Sequence, residues 1–350
     1  MIKFRSVFMK DGLNINKKTR KYMAVLMILI QLIFLCGSFT VKAAQYEKIY
    51  SLDDFYVKLS NQIFAHEIDM YYEVPDYNVV RAIMDIDMED YEYHYDEDNP
   101  LISGCYLSYY IKYLNLYYSN GKLRVVIQFK YSKTEMDDHF AMMKELSKEL
   151  RGNNDFDTVQ KVHDYLIKNF EYDRKTIYVN HTDIDGFKDN QMVCSGYSLA
   201  AYYLLNASGV HTRVITGYGG EGKSDERNHM WNMVELDGKW YNLDITWDDT
   251  NGEWPAYNYF LKNDADFVNH TRLGKYDIDY FSAVVADKSY KLPAKLRLGE
   301  SKWYIVPLII MLLGMSLLSI LINRKQRKRG EAVNKIISSG PIGGAEDDDK

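Results

Sequence analysis

From Trp303 to Ile322 the chain runs 20 residues without a charge, long enough as a helix to cross roughly 30 Å of hydrocarbon. Asn323-Arg324-Lys325-Gln326-Arg327-Lys328-Arg329 follows at once. An excess of Lys and Arg beside a span marks the cytoplasmic side, so the segment reads as a transmembrane helix (303–322) with a cytoplasmic tail (323–350). A second uncharged run, Met23–Phe39, follows a leader carrying Lys3, Arg5, Lys10, Lys17, Lys18, Arg20 and Lys21. It has the layout of an export signal, with Val41-Lys42-Ala43-Ala44 as a cutting site or, because the basic leader is long, with the run retained as an anchor. Residues 45–302 are then expected outside the cytoplasm of an integral membrane protein. The tail from Gly330, with Gly340-Pro341-Ile342-Gly343-Gly344 and Glu346–Asp349, shows no apolar period and is expected to be disordered.

Composition matters chiefly for this exported part. Residues 45–302 hold 43 acidic against 28 basic residues, a balance of −15, while the whole chain carries only −6. An acidic surface argues against nucleic acid as a partner, since phosphates need positive charge. Cysteine is sparse: Cys36 lies in the first apolar run, leaving Cys105 and Cys194. No disulfide framework is implied, although one bridge between these two is arithmetically open in an oxidising compartment.

The exported part has two textures. Residues 45–152 read as an α+β lead-in: a helical pattern at Leu52–His66, strand-like alternation at Leu107–Tyr117, an Asn120-Gly121 hairpin turn into Leu123–Phe129, and a surface helix at Asp137–Leu150 stopped near Gly152. Residues 153–300 form the second region. Its first helix, Thr158–Phe170, is expected to be capped by Asp155 or Asp157, and its lone His163 is taken as structural.

The chemistry lies further on. In CSGYSLAAYYLLNASGV, Cys194 opens a helix with an apolar face at Leu199, Ala200, Tyr203 and Leu204 and a stop at Gly209. At a helix N-terminus the unpaired amides and the positive dipole end favour thiolate over thiol. In HMWNMVELDGKWYNLDITWDD, from His229 to Asp249, Asp237-Gly238 is a two-residue hairpin turn. If Leu236 opposes Lys239, then Asp244 opposes Trp231, Thr246 opposes His229, and His229 and Asp244 are diagonal neighbours on one face. A one-residue slip would separate them. A thiol needs a base to take its proton, and the base needs a partner to fix its tautomer; Cys194, His229 and Asp244 supply those roles.

VCSGYS (Val193–Ser198), HMWN (His229–Asn232) and WYNLDITWDD (Trp240–Asp249) resemble the three signature blocks of transglutaminase-like proteins. The preceding KVHDYLIKNFEYD (Lys161–Asp173) resembles the helix that leads into their core. The resemblance covers about Asp155 to Phe260. It implies an α+β, papain-like fold in which a nucleophile helix packs on an antiparallel sheet, with Cys194, His229 and Asp244 as nucleophile, base and orienting carboxylate of a bacterial membrane-anchored member. Met230 stands where a small residue is usual and would narrow the cleft. The blocks do not fix an oxyanion donor; the Cys194 amide is the first nomination, with Gln191 and Tyr197 behind it.

Asp244, Asp248 and Asp249 lack the spacing of a calcium loop, and no His or Cys pair stands at zinc-ligand spacing, so no metal or cofactor is expected. The expected function is thiol acyl transfer on amide bonds of protein or peptide substrates, peptidase-like or transglutaminase-like. The rival is a catalytically silent papain-like module that binds envelope proteins or wall ligands.

Overall fold

The computed structural model describes Lys18 and residues 46–86, 88–174, 182–220, 226–250, 255–297 and 305–338. The apolar run Met23–Phe39, its flanking cutting site and Cys36 lie outside the described residues. The chain divides into two units, Met1–Glu47 and Lys48–Lys350, and the description below concerns the second.

Its first sheet is antiparallel, with Lys122–Phe129 between Asp69–Glu73 and Ile111–Ser119. Asn120 and Gly121 both take positive φ, 52° and 78°, the conformation in which a two-residue hairpin turn matches the twist of its strands. Leu123, Val125 and Ile127 alternate inward and are buried with Phe55, Leu59 and Ile63 of the helix Leu52–Phe64. The strand expected from Leu107 begins only at Ile111, because Gly104–Leu107 and Ser108–Tyr110 are short helical turns. Gly104 lies so close to Tyr91 that a Cβ there would sit 2.0 Å from the Tyr91 carbonyl oxygen, and extended backbone is replaced by a tight passage.

The helix Lys133–Leu150 starts a turn before the sequence reading placed it. Ser132 accepts from the Glu135 amide while the Glu135 carboxylate accepts from the Ser132 amide, a reciprocal cap that satisfies two donors otherwise left open. The next helix, Asp155–Asn169, is capped by Asn154, whose side chain accepts from the Asp157 amide at 2.9 Å. Asp155 and Asp157 fall instead within its first turn, where acidic residues complement the helix dipole.

The helix Cys194–Ala207 is buried nearly all round, with Leu199, Ala200, Ala201, Tyr202, Leu204 and Leu205 inaccessible to solvent. Such a helix needs neighbours on every side. Phe140 of the preceding region stacks on Tyr203 at 5.9 Å between centroids, and Ser208 donates to the Ser147 carbonyl at 3.0 Å. On another side, the Asn232 amide donates to the Ser198 carbonyl at 3.0 Å, joining the helix to the second sheet. One apolar core therefore runs from Ile49 to Ala286, and the change of sequence texture near residue 152 marks no break in packing.

The second sheet is antiparallel, ordered His270–Arg272, Thr212–Gly219, Arg227–Leu236, Lys239–Leu243. Asp237 and Gly238 form the expected turn with φ of 52° and 71°. Leu236 opposes Lys239, and the register holds as far as Asn232 opposite Leu243. There the strand ends. Asp244 caps the short helix Ile245–Asp248, so Thr246 is helical and does not face His229 across a ladder.

At the C-terminal end, Ile305–Ser338 is one helix. It contains a stretch, Pro307–Ala332, long and apolar enough to cross a membrane, with none of it buried. The helix passes through the basic cluster and Gly330, where the sequence reading expected disorder, and residues 339–350 lie outside the described residues. Arg, Lys, Gln, Glu and Ala are good helix formers, and Arg327 pairs with Glu331 one turn on, at 3.2 Å. Charge clustering ended the apolar run without ending the helix.

Gly217 in the second sheet has no room for a side chain: a Cβ would lie 2.2 Å from the Thr271 carbonyl oxygen and 2.6 Å from the Trp231 ring. Gly217→Ala should lower unfolding stability by about 1–3 kcal/mol, measured by denaturant titration of the purified protein; an unchanged midpoint would contradict this packing.

Candidate active site

Cys194 is the first residue of its helix, preceded by Val193, which offers no side-chain cap. The leading amides are therefore open to a ligand or an anion. The thiol is partly exposed, and both Cys194 and Cys105 are free, so the bridge that would mask the nucleophile is not formed. Cys105 is buried inside the core, and burial pushes its thiol up to about 11, the environment of an inert cysteine.

His229 comes from the strand Arg227–Leu236 and meets Asp244 through Nε2 and Oδ2 at 2.7 Å. Nδ1 is the nitrogen left over, and Cys194 acts on the same ring, raising its pKa. The imidazole thus feels both thiol and carboxylate. Burial alone would depress the His229 pKa, but the Asp244 charge, the Asp244 hydrogen bond and then Cys194 outweigh it and push the ring up to about 10. Asp244 is fully buried, which would raise its pKa; the His229 charge, with bonds from His229 and His270, holds it well below the ordinary carboxylate range instead. Its Oδ1 accepts from the Trp247 amide at 3.1 Å, so both oxygens are engaged. Capping the short helix is what turns this carboxylate toward the base.

Of the two further oxyanion nominees, Tyr197 has its hydroxyl committed and Gln191 is exposed. The Tyr197 hydroxyl donates to Asp249 at 2.6 Å, and burial together with Asp249 holds that phenol well above its usual value; it ties the nucleophile helix to the Asp244–Asp249 segment. Gln191 is exposed on the short strand Gln191–Met192, which pairs in parallel with Glu171–Tyr172. Met230 is buried in the core cluster.

Asp248 and Asp249, weighed as calcium ligands with Asp244, are also committed. Asp248 accepts from the Tyr259 amide at 2.9 Å and meets His163 Nε2 at 3.2 Å. His163 Nδ1 meets Asp164 at 3.0 Å, so the ring joins two carboxylates while fully buried. As the sequence reading had it, His163 is structural: it pins the helix Asp155–Asn169 beneath the segment that carries Asp244.

Sequence reasoning missed His270. Its Nε2 lies 3.0 Å from the same Asp244 oxygen that holds His229, although 26 residues separate the two in the chain. No spacing motif could have found it, because an edge strand delivers it. His229, Asp244 and His270 bring three ligand-type atoms within 4.8 Å of one another. A tetrahedral zinc ion would hold such atoms about 3.3 Å apart, wider than the 2.7 and 3.0 Å found here. Two hydrogen bonds account for the cluster as it stands.

Residues 144–245 match the family model of the transglutaminase-like superfamily. They form a transglutaminase-like core domain of papain-like fold. Among curated proteins, the chain is similar to kyphoscoliosis peptidase of Mus musculus, 26% identical over 170 residues, covering 43% of this chain and 24% of that protein. The Homo sapiens protein of the same name is 25% identical over 166 residues, with the same coverage. The chain thus spans about a quarter of the length of these relatives. Among solved structures, the periplasmic domain of TgpA from Pseudomonas aeruginosa is 19% identical, covering 36% of this chain and 54% of that one, with a TM-score of 0.25. Legionella pneumophila LapG is 18% identical, covering 33% and 66%, also with a TM-score of 0.25.

The charged pairs set a pH signature. Burial lowers the His163 pKa, but Asp164 and Asp248 raise it further, leaving it above its ordinary 6.5. A histidine raised by folding contributes stability that is full below its unfolded value and is lost as pH rises through its folded value. The stability deficit of His163→Gln against wild type should therefore be largest near pH 6 and narrow at pH 9 in parallel thermal melts; a deficit that widens with pH would show that His163 is buried uncharged.

Proposed function

We propose that the protein is a thiol acyl-transfer enzyme acting on amide bonds of protein or peptide substrates through Cys194, His229 and Asp244. The observation that carries this reading is a single imidazole held by Asp244 at 2.7 Å on one nitrogen, whose pKa is raised further by Cys194, the first residue of a helix. The Cys194 sulfur, as thiolate, attacks the amide carbonyl carbon and forms a C–S bond. Negative charge passes to the oxygen, which the Cys194 amide at the helix terminus is placed to receive. His229 gives its Nδ1 proton to the leaving amine as the C–N bond breaks. Water or a second amine then attacks the thioester, His229 takes the incoming proton, and the C–S bond breaks to restore the thiol. Hydrolysis comes first of the two outcomes, because the curated relatives are named peptidases.

The setting belongs to the same proposal: residues 45–302 lie outside the cytoplasm, held to the membrane by the C-terminal helix. The apolar stretch of that helix and its basic flank support this placement.

Wild type and Cys194→Ala should be compared for alkylation by iodoacetamide across pH and for cleavage of a mixed peptide library. Wild type should react faster than a free thiol at neutral pH and release new termini, with both signals absent from Cys194→Ala. A Cys194 no more reactive than free cysteine would sink the enzyme reading. Asp244→Asn should lower turnover roughly 10²–10⁴-fold while leaving the fold intact, because the base loses its oriented tautomer, as read by steady-state kinetics alongside circular dichroism. Protease treatment of intact cells should remove epitopes within residues 45–302 and spare the basic tail; full protection of that region would refute the placement.

A further inference from the structure

We propose that His270 is a positioning residue that shares Asp244 with His229 and so keeps the base from holding its proton too tightly to return it to a leaving amine. The proposal rests on the triad reading above for its consequence, but its geometry stands apart from catalysis.

His270 begins the edge strand His270–Arg272 and lies opposite Gly219, while His229 lies opposite Gly217 on the other side of the same strand. The two rings thus approach over backbone that carries no side chains. At Gly219 the space is tight: a Cβ would meet the His229 and Trp247 rings, each at 3.1 Å. Four aromatic rings enclose His270, with centroids 4.0 Å away for Phe267, 4.4 Å for Trp247, 5.2 Å for Trp231 and 5.5 Å for Tyr259. Its side chain is 1% exposed. A ring so enclosed cannot turn to find other partners.

Its two hydrogen bonds fix its chemical form. Nδ1 lies 3.0 Å from the Val268 carbonyl oxygen, which only accepts, so Nδ1 carries a hydrogen. Nε2 lies 3.0 Å from Asp244 Oδ2, and Asp244 is held as a carboxylate, so Nε2 carries one too. While both bonds stand, the ring donates through both nitrogens. The one negative charge of Asp244 is then divided between two imidazoles that meet the same oxygen.

Remove His270 and the whole carboxylate charge falls on His229. Among the described residues, other ionisable groups near the pair include Cys194, which raises the His229 pKa, Tyr172, which feels both Cys194 and Asp244, Asp248, which feels Asp244, and Tyr259, whose ring lies 5.5 Å from that of His270. Arg272, two residues along the edge strand, is engaged by Asp264 and Asn242. The two imidazoles are what meet Oδ2. General acid catalysis is most efficient when the acid's affinity for its proton lies near the working pH, and a second imidazole donor on the shared oxygen moves His229 in that direction.

The test is a pH titration followed by NMR of ¹⁵N-histidine-labelled full chain in detergent micelles, for wild type, His270→Ala and His270→Gln. In wild type at pH 7 both ring nitrogens of His270 should resonate in the protonated range. The titration midpoint of His229 should rise by about one pH unit in His270→Ala, since the Asp244 carboxylate it then no longer shares moves a neighbour at this range by about that much. His270→Gln, which restores a donor without charge, should fall between the two and serves if His270→Ala does not fold. A His270 ring with one bare nitrogen, or a His229 midpoint that stays or falls in a folded variant, would overturn the proposal. So would uptake of one equivalent of Zn²⁺ by wild type with both rings shifted as ligands, because the cluster would then be a metal site. Acylation of Cys194 by p-nitrophenyl acetate tests the enzyme reading separately: a failure there leaves the titration result intact.

Discussion

The buried Asp244 carboxylate is the point on which the site depends. A fully buried charge is costly unless it is paired and hydrogen-bonded, and Asp244 accepts from the Trp247 amide on one oxygen and meets two imidazoles on the other. Each of those contacts comes from a different part of the fold: a short helix that the residue itself caps, the strand Arg227–Leu236, and the edge strand His270–Arg272. Satisfying one charge therefore fixes where a strand must end, where a helix must begin and which edge strand must be present.

The rest of the molecule can be understood as holding those pieces in register with Cys194. The nucleophile helix is apolar on all sides, so the Lys133–Leu150 helix and the second sheet must both cover it. Polar ties add direction to that burial. Tyr197 bonds Asp249, Asn232 bonds the Ser198 carbonyl, and His163 bridges Asp164 to Asp248. Three of the acidic residues that resemble a cation site by composition, Asp244, Asp248 and Asp249, are each consumed by such ties. The glycines at 217 and 219 permit the close passage of strands beneath the paired rings.

Much of the fold was legible because local chemistry and tertiary outcome agree. Asn120-Gly121 and Asp237-Gly238 demand positive φ at adjacent residues and receive it, and the second of these turns propagated the register that brings His229 near Asp244. Where the reading failed, a local rule met a competing contact. The ladder was extended past Leu243, but the Trp247 amide claimed the Asp244 side chain and a helix began. The tail from Gly330 was read as unstructured because it has no apolar period, yet residues of high helix propensity carried the helix to Ser338. Tyr197, behind the Cys194 amide as an oxyanion nominee and read first as a packing residue, is fully buried and gives its hydroxyl to Asp249, 52 residues away.

By itself, the sequence determined the apolar C-terminal helix with its basic flank, Cys194 at a helix start, the hairpin with its register and the transglutaminase-like core, because each is written in residues close together in the chain. Only the tertiary structure decided the rest. It brought His270 onto Asp244, made His163 a brace between two carboxylates, left Cys105 buried and free, and joined the lead-in to the core. The reason is that a hydrogen bond between residues far apart depends on strand order and on which charges must be buried, and neither has a period or a spacing that a linear pattern can carry.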